Sequence, residues 1–281
     1  MDRRLFGTTL FMWAMMAQAV WPGAGFTEDS LLNSPARPIV KASALYMVEL
    51  QSGRVLLEKN ATRRLPPASL TKIMTALVAL ESAPLQDVVK IDRRAIVHHS
   101  AYKFLPGEEF LLRDLVTAML VASANDACEA IAWHIGGDEK RFVSMMNERA
   151  GTLGLKDTHF ANPCGFDAPE HYSTAADLAK LSERALQQPI FSMMVRTLVR
   201  DIRTVDGGRQ LVLHTTNELL KDPDVNGVKT GYTSKAGRCL IASMFKDGHR
   251  LLLVGLNLMD QWKQASRLLR YGHEVLGEAS G

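Results

Sequence analysis

The sequence predicts an α/β chain of the α+β kind: one antiparallel sheet built from both termini, packed with helices and carrying an inserted helical lobe. Three observations predict it. Apolar strand-like runs around glycine-containing turns lie near both ends, and helical apolar spacing fills the middle. Composition supplies the third. With 281 residues, 47% hydrophobic and 22% charged, the chain has enough apolar content for a large core, which excludes a disordered chain. A net charge of +3 is too small to indicate a nucleic-acid partner.

The elements follow in order. Residues 1–25 read as a secretory signal peptide. Arg3 and Arg4 form a positive start, residues 5–16 an apolar run, and Ala17-Gln18-Ala19 or Gly23-Ala24-Gly25 a small-residue cleavage site. The competing reading is a retained membrane anchor, because the uncharged run approaches the roughly 20 residues needed to span a bilayer. Without residues 1–25 the net charge falls to +2. No later segment has an uncharged apolar run of spanning length. Residues 26–40, with Pro35 and Pro38, predict an irregular lead-in. Runs 42–50 and 54–59 flank Gln51-Ser52-Gly53, with Tyr46, Val48 and Leu50 alternating, and predict a hairpin. Helical spacing is expected at 70–80, 111–122, 125–135, 139–153 and 175–187, with Gly136-Gly137 as a break and Ser173 or Thr174 as a cap. Runs 237–245 and 249–258 flank Lys246-Asp247-Gly248 and predict a second hairpin, in which Leu251 to Val254 is apolar enough to be buried on both faces. Residues 261–276 predict a closing amphipathic helix.

Three short motifs carry chemistry. Ser69-Leu70-Thr71-Lys72 stands where the first helical pattern begins, so Ser69 and Lys72 share one face. A serine hydroxyl needs a base to become a nucleophile, and a neutral amine is such a base. A helix start also offers free backbone N–H groups to an oxyanion. Alone, the motif is weak: Ser69 also suits an N-cap, Lys72 a solvated helix, and the spacing recurs at Ser100/Lys103 and Ser243/Lys246. Ser123-Ala124-Asn125 falls in a tight turn between two helical runs, where capping is the bland alternative to a proton-relaying hydroxyl and a substrate-holding amide. Lys229-Thr230-Gly231 precedes the 237–245 strand. Its glycine lets a substrate backbone lie close, while the lysine and threonine face a carboxylate. An exposed turn is the alternative here. The motifs occur in order, with Ser69 and Ser123 54 residues apart and Ser123 and Lys229 106 apart.

Together with Pro66–Leu77, Ser123-Ala124-Asn125-Asp126-Ala127, residues 171–178 and Gly227–Gly231, this ordered set resembles the D-alanyl-D-alanine carboxypeptidase family of low-molecular-mass penicillin-binding proteins. The likeness runs over roughly residues 42–276. It implies a serine β-lactamase/DD-transpeptidase-like fold and a catalytic domain over 41–277. It implies a serine-type carboxypeptidase that removes the terminal D-alanine of peptidoglycan stem pentapeptides and is acylated by β-lactams. By the resemblance, Ser69 is the nucleophile, Lys72 the general base and Ser123 the proton relay. Asn125, Lys229, Thr230 and Gly231 hold substrate, and Tyr232 contributes its backbone N–H to an oxyanion hole with that of Ser69. No cofactor or metal is implied. Many family members carry a second β-rich domain and an amphipathic C-terminal helix, neither of which is expected here. Shorter relatives include D,D-endopeptidases that cut crosslinks, which makes that activity the alternative. A β-lactamase ranks low, because no Glu-x-x-Leu-Asn segment occurs, and a non-catalytic peptidoglycan-binding protein ranks low because all motif residues are intact.

Cys164, in Asn162-Pro163-Cys164-Gly165-Phe166, departs from the family's usual threonine and is expected to touch no catalytic position. Cys128 is expected in the core. His98, His99, His134, His159 and His171 have no metal-binding spacing and read as surface or local hydrogen-bonding residues. The expected location is the periplasm or the envelope exterior.

Overall fold

Strand alternation sets the architecture. A computed structural model describes residues 36–97, 100 and 102–278, all of which belong to one compact unit. The expected signal peptide, most of the lead-in, and His98 and His99 lie outside the described residues. Strands β1 (Ala44–Glu49), β2 (Val55–Lys59), β7 (Val225–Thr233), β8 (Gly237–Lys246) and β9 (His249–Leu256) form an antiparallel sheet in the order β2-β1-β9-β8-β7. Both expected hairpins are present, and β1 joins them by pairing with β9 from Ala44↔Leu256 to Glu49↔Leu251.

Successive side chains point to opposite faces, so each strand feeds two cores. Leu45, Met47, Leu240, Ala242, Leu251 and Leu253 meet Ala265, Leu268, Leu269 and Leu276 of helix α7 (Gln261–Glu278). Gly272 lets that helix sit close, since a Cβ there would stand 2.9 Å from Met47 Cε. Ala44, Val48, Ile241, Leu252, Val254 and Leu256 face the larger core. Residues Leu251 to Val254 are buried throughout, as a strand covered on both faces requires.

The larger core is filled by helices α1 (Lys72–Ser82), α2 (Leu112–Val121), α3 (Asn125–Gly136), α4 (Glu139–Thr152), α5 (Ala175–Leu186) and α6 (Pro189–Val195). In α1 every residue from Lys72 to Ala79 is buried, so this helix is the centre of the lobe and not an amphipathic surface helix. A 3₁₀ turn, Ala68–Thr71, precedes it and carries Ser69. Thr174, not Ser173, caps α5, accepting from the Asp177 N–H at 3.0 Å.

Three pieces go beyond the sequence expectation: the pair β3 (Val88–Lys90) and β4 (Glu109–Leu111), the hairpin β5 (Val199–Arg203) and β6 (Gln210–His214), and α6. One expectation is corrected. Lys229-Thr230-Gly231 does not approach a strand; it lies inside β7, the sheet's edge strand. Among the described residues no helix is long and apolar enough to cross a membrane.

Candidate active site

The three motifs meet at one cleft because three elements converge. The 3₁₀ turn before α1 presents Ser69. The α2–α3 turn presents Ser123 with φ +58° and ends on Asn125, the first residue of α3. Strand β7 runs past both. Ser69, Ser123, Asn125, Thr230, Gly231 and Tyr232 line a cleft of about 500 Å³, with Ala122, Thr216, Arg238 and Gln261 completing its wall. Gly231 explains how closely β7 approaches: a Cβ there would stand 2.9 Å from the Ser69 nitrogen. Ala68, immediately before Ser69, is held at φ +50°, a conformation that costs energy outside glycine and persists only where packing enforces it.

Lys72 lies beneath the cleft with no exposed surface. Its Nζ is 3.0 Å from Ser69 Oγ, 2.8 Å from Asn125 Oδ1 and 2.7 Å from the Cys164 carbonyl oxygen. A protonated amine donates to all three. A neutral amine has two N–H groups, enough for the two carbonyl oxygens, and its lone pair is then left for the Ser69 hydroxyl. The arrangement therefore suits proton transfer from Ser69 to Lys72 without rearrangement of the other two contacts.

Lys229 is almost as fully buried and does not line the cleft; its Nζ donates to the Thr230 carbonyl at 2.9 Å. Burial, and then the nearby charge of Lys72, hold the Lys229 ammonium well below a lysine's usual range. Thr230 Oγ1 is 2.6 Å from Thr216 Oγ1. Tyr232 lines the cleft and is largely exposed.

Loop 161–166 forms the wall behind Lys72. Asn162 Oδ1 accepts from the N–H groups of Cys164, Gly165 and Phe166, folding the loop around one amide. Gly165, at φ +89°, lies so close that a Cβ would be 1.9 Å from the Ala68 oxygen. Besides the Lys72–Cys164 bond, two contacts tie the loop to α1 and the 3₁₀ turn before it. Thr75 Oγ1 donates to the Pro163 carbonyl at 2.6 Å, and His171 bridges the Ala161 N–H, 3.0 Å from Nδ1, to Thr71 Oγ1, 2.7 Å from Nε2. Because Nδ1 accepts, Nε2 carries the proton. Burial first, then the charge of His159, lowers His171 to about 4, in keeping with a neutral ring.

A family model described as D-alanyl-D-alanine carboxypeptidase matches residues 32–260. The chain belongs to the D-alanyl-D-alanine carboxypeptidase family. It is 36% identical to D-alanyl-D-alanine carboxypeptidase DacF of Bacillus subtilis, over 90% of this chain and 65% of that protein, so it spans about two thirds of that relative's length. It is 28% identical to a D-alanyl-D-alanine endopeptidase of Pseudomonas aeruginosa, over 96% of this chain and 88% of that one. A solved structure of a mutant Streptomyces K15 DD-transpeptidase superimposes with a TM-score of 0.81 at 28% identity, covering 84% of this chain and 99% of that one.

Within this carboxypeptidase-family chain, parts of the site escape a motif reading. Thr216, Arg238 and Gln261 enter the cleft from segments with no signature of their own. Cys164 does touch the site, contrary to expectation, because its carbonyl receives Lys72; backbone contacts of this kind leave no trace in residue type. Of the two roles expected for the histidines, His171 takes the local hydrogen-bonding one, and it is buried. Cys128, Cys164 and Cys239 are all buried and unbridged.

Proposed function

We propose that this chain is a serine-type D-alanyl-D-alanine carboxypeptidase that removes the terminal D-alanine from peptidoglycan stem peptides through an ester on Ser69. One observation carries the reading: a fully buried Lys72 holds Nζ 3.0 Å from Ser69 Oγ while two carbonyl oxygens fix its other contacts. The family match and the DacF relative support the substrate class.

Ser69 Oγ attacks the carbonyl carbon between the two D-alanines as its proton passes to Lys72. The oxyanion that forms is taken by the backbone N–H groups of Ser69 and Tyr232. The C–N bond then breaks, and Lys72 returns a proton through the Ser123 hydroxyl to the departing amine. Water hydrolyses the ester and restores Ser69. Asn125, Thr230 and Gly231 hold the substrate backbone. Lys229, buried beside Lys72 and not lining the cleft, attracts the terminal carboxylate by its charge, and that carboxylate favours the ammonium form that burial otherwise disfavours. A penicillin acylates Ser69 by the same attack on its lactam carbonyl and leaves a stable ester.

Incubation with a fluorescent penicillin tests this. Wild type is expected to carry the label covalently and Ser69→Ala to carry none; an unlabelled wild type, or equal labelling of the variant, overturns the assignment. A second reading, a D,D-endopeptidase that cuts crosslinks, is favoured by the Pseudomonas relative matched over 88% of its length. Release of D-alanine from a pentapeptide muropeptide supports the carboxypeptidase, and monomers released from a crosslinked dimer support the endopeptidase.

Residues 1–25 fit an export signal followed by a catalytic domain over 41–277, which would put the enzyme in the periplasm or on the envelope exterior. N-terminal sequencing of the protein recovered from the envelope is expected to begin after Ala19 or Gly25; a retained Met1 overturns cleavage.

A further inference from the structure

Glu129 is a buried carboxyl that the acyl-transfer steps do not use. It lies one helical turn after Asn125 on α3 and is 5% exposed. The Cys164 thiol donates to its Oε1 at 3.2 Å, and the same sulfur is 3.7 Å from the Asn125 carbonyl oxygen. The main-chain carbonyl of Cys164 is the oxygen that receives Lys72 Nζ at 2.7 Å. One residue thus faces two ways: its side chain is held by α3, and its carbonyl holds Lys72.

We propose that Glu129 is a positioning residue, which by gripping the Cys164 thiol fixes the carbonyl that orients Lys72 toward Ser69. The proposal rests on the acyl-transfer reading of Ser69 and Lys72.

Three observations support it. Burial pushes the Cys164 thiol well above its ordinary range, so the sulfur keeps its proton and can donate. The loop's other anchors, Asn162, Thr75 and His171, act on the N–H groups of Ala161 and of Cys164 to Phe166 and on the Pro163 carbonyl; the Glu129 contact is made by the Cys164 side chain to a carboxyl group. A carboxyl at this depth is also expensive. Burial raises Glu129 to about 7, partly offset by the thiol hydrogen bond and the charge of Lys72 and reinforced by Glu139 and Asp126. The groups facing it are therefore Cys164 from the loop, Lys72 from α1, Glu139 from α4 and Asp126 from its own helix. An apolar residue would fill the same space at lower cost, as replacement of buried charges by packed apolar side chains often demonstrates.

The test uses the full chain and the rate constant for acylation by a penicillin between pH 5.5 and 9, with urea midpoints to check folding. Cys164→Ala removes the donor and is expected to acylate about tenfold more slowly, the scale of one lost hydrogen bond to a charged group. Cys164→Ser restores a donor and is expected to recover much of that loss. Glu129→Gln keeps an acceptor oxygen but cannot ionise, so its pH–rate profile is expected to lack an inflection near 7 that the wild type carries. Cys164→Ala acylating at the wild-type rate, Cys164→Ser as slow as Cys164→Ala, or a Glu129→Gln profile superimposable on the wild type's overturns the proposal. If Cys164→Ala does not fold, the Glu129→Gln profile decides. A wild type that takes no label defeats the acyl-transfer reading instead, and a labelled wild type with unaffected variants defeats only the role of Glu129.

Discussion

Lys72 has no surface from which to draw water, so its contacts are its whole environment. Replacing it by methionine keeps the length and removes the amine. Lys72→Met is expected to slow penicillin acylation by about 10²–10⁴-fold, the range of a general base, in a stopped-flow assay; a near-normal rate would remove Lys72 from that role. At this scale the sequence is informative where chemistry resides in side chains. Ser69, Lys72, Ser123 and Asn125 are singled out by the ordered set of motifs and its family resemblance, and a helix start and an inter-helix turn bring them to one place. It is silent on the Cys164 carbonyl, since a main-chain oxygen is common to every residue, and on Glu129, whose neighbours Asp126 and Glu139 make it look like one more helix carboxylate.

The elements divide in the same way. Helices α1 to α5 and the two terminal hairpins have apolar periodicity over many residues, so they are legible. Strands β3 and β4 have three residues each, too few for a period to register. In β5 and β6 a single residue per strand, Ile202 and Leu213, is fully buried, so alternation is faint although Asp206-Gly207-Gly208 marks the turn. Strand β7 looks like a turn in sequence because its centre is polar and glycine-rich; its strand character comes from pairing with β8, from Val225↔Met244 to Thr233↔Gly237. Helix α5 offers a test at this scale. Thr174 caps it, and Asp177 in its first turn accepts from the Asp157 N–H and the Thr158 hydroxyl, tying the helix to the segment before the active-site loop. Thr174→Ala is expected to lose about 1 kcal/mol in urea unfolding, while a Ser replacement, which keeps the cap, should lose little.

For the whole molecule, pH acts through two buried groups in opposite directions. Glu129 is raised to about 7, so its native form binds its proton more tightly than the unfolded chain does, and the stability it contributes in acid is lost as pH rises through 7. His171 is lowered to about 4, so its contribution is complete above the unfolded value of 6.5 and is lost as pH falls through 4. Between about 4.5 and 6.5 the two slopes oppose each other. Urea midpoints of Glu129→Gln against wild type are expected to diverge from pH 5 to pH 8, with the variant holding its stability; parallel curves would contradict the burial argument. The sheet has a further consequence, for the order of events during synthesis. Strand β1 is made early and β9 late, yet they are neighbours at the sheet's centre. Such non-local pairing makes for slow folding, because distant segments must be brought together before either is rewarded. Until residue 256 has emerged from the ribosome, β1 has its hairpin partner on one side and an open, apolar edge on the other. A growing chain is thus kept from completing its sheet until β9 exists.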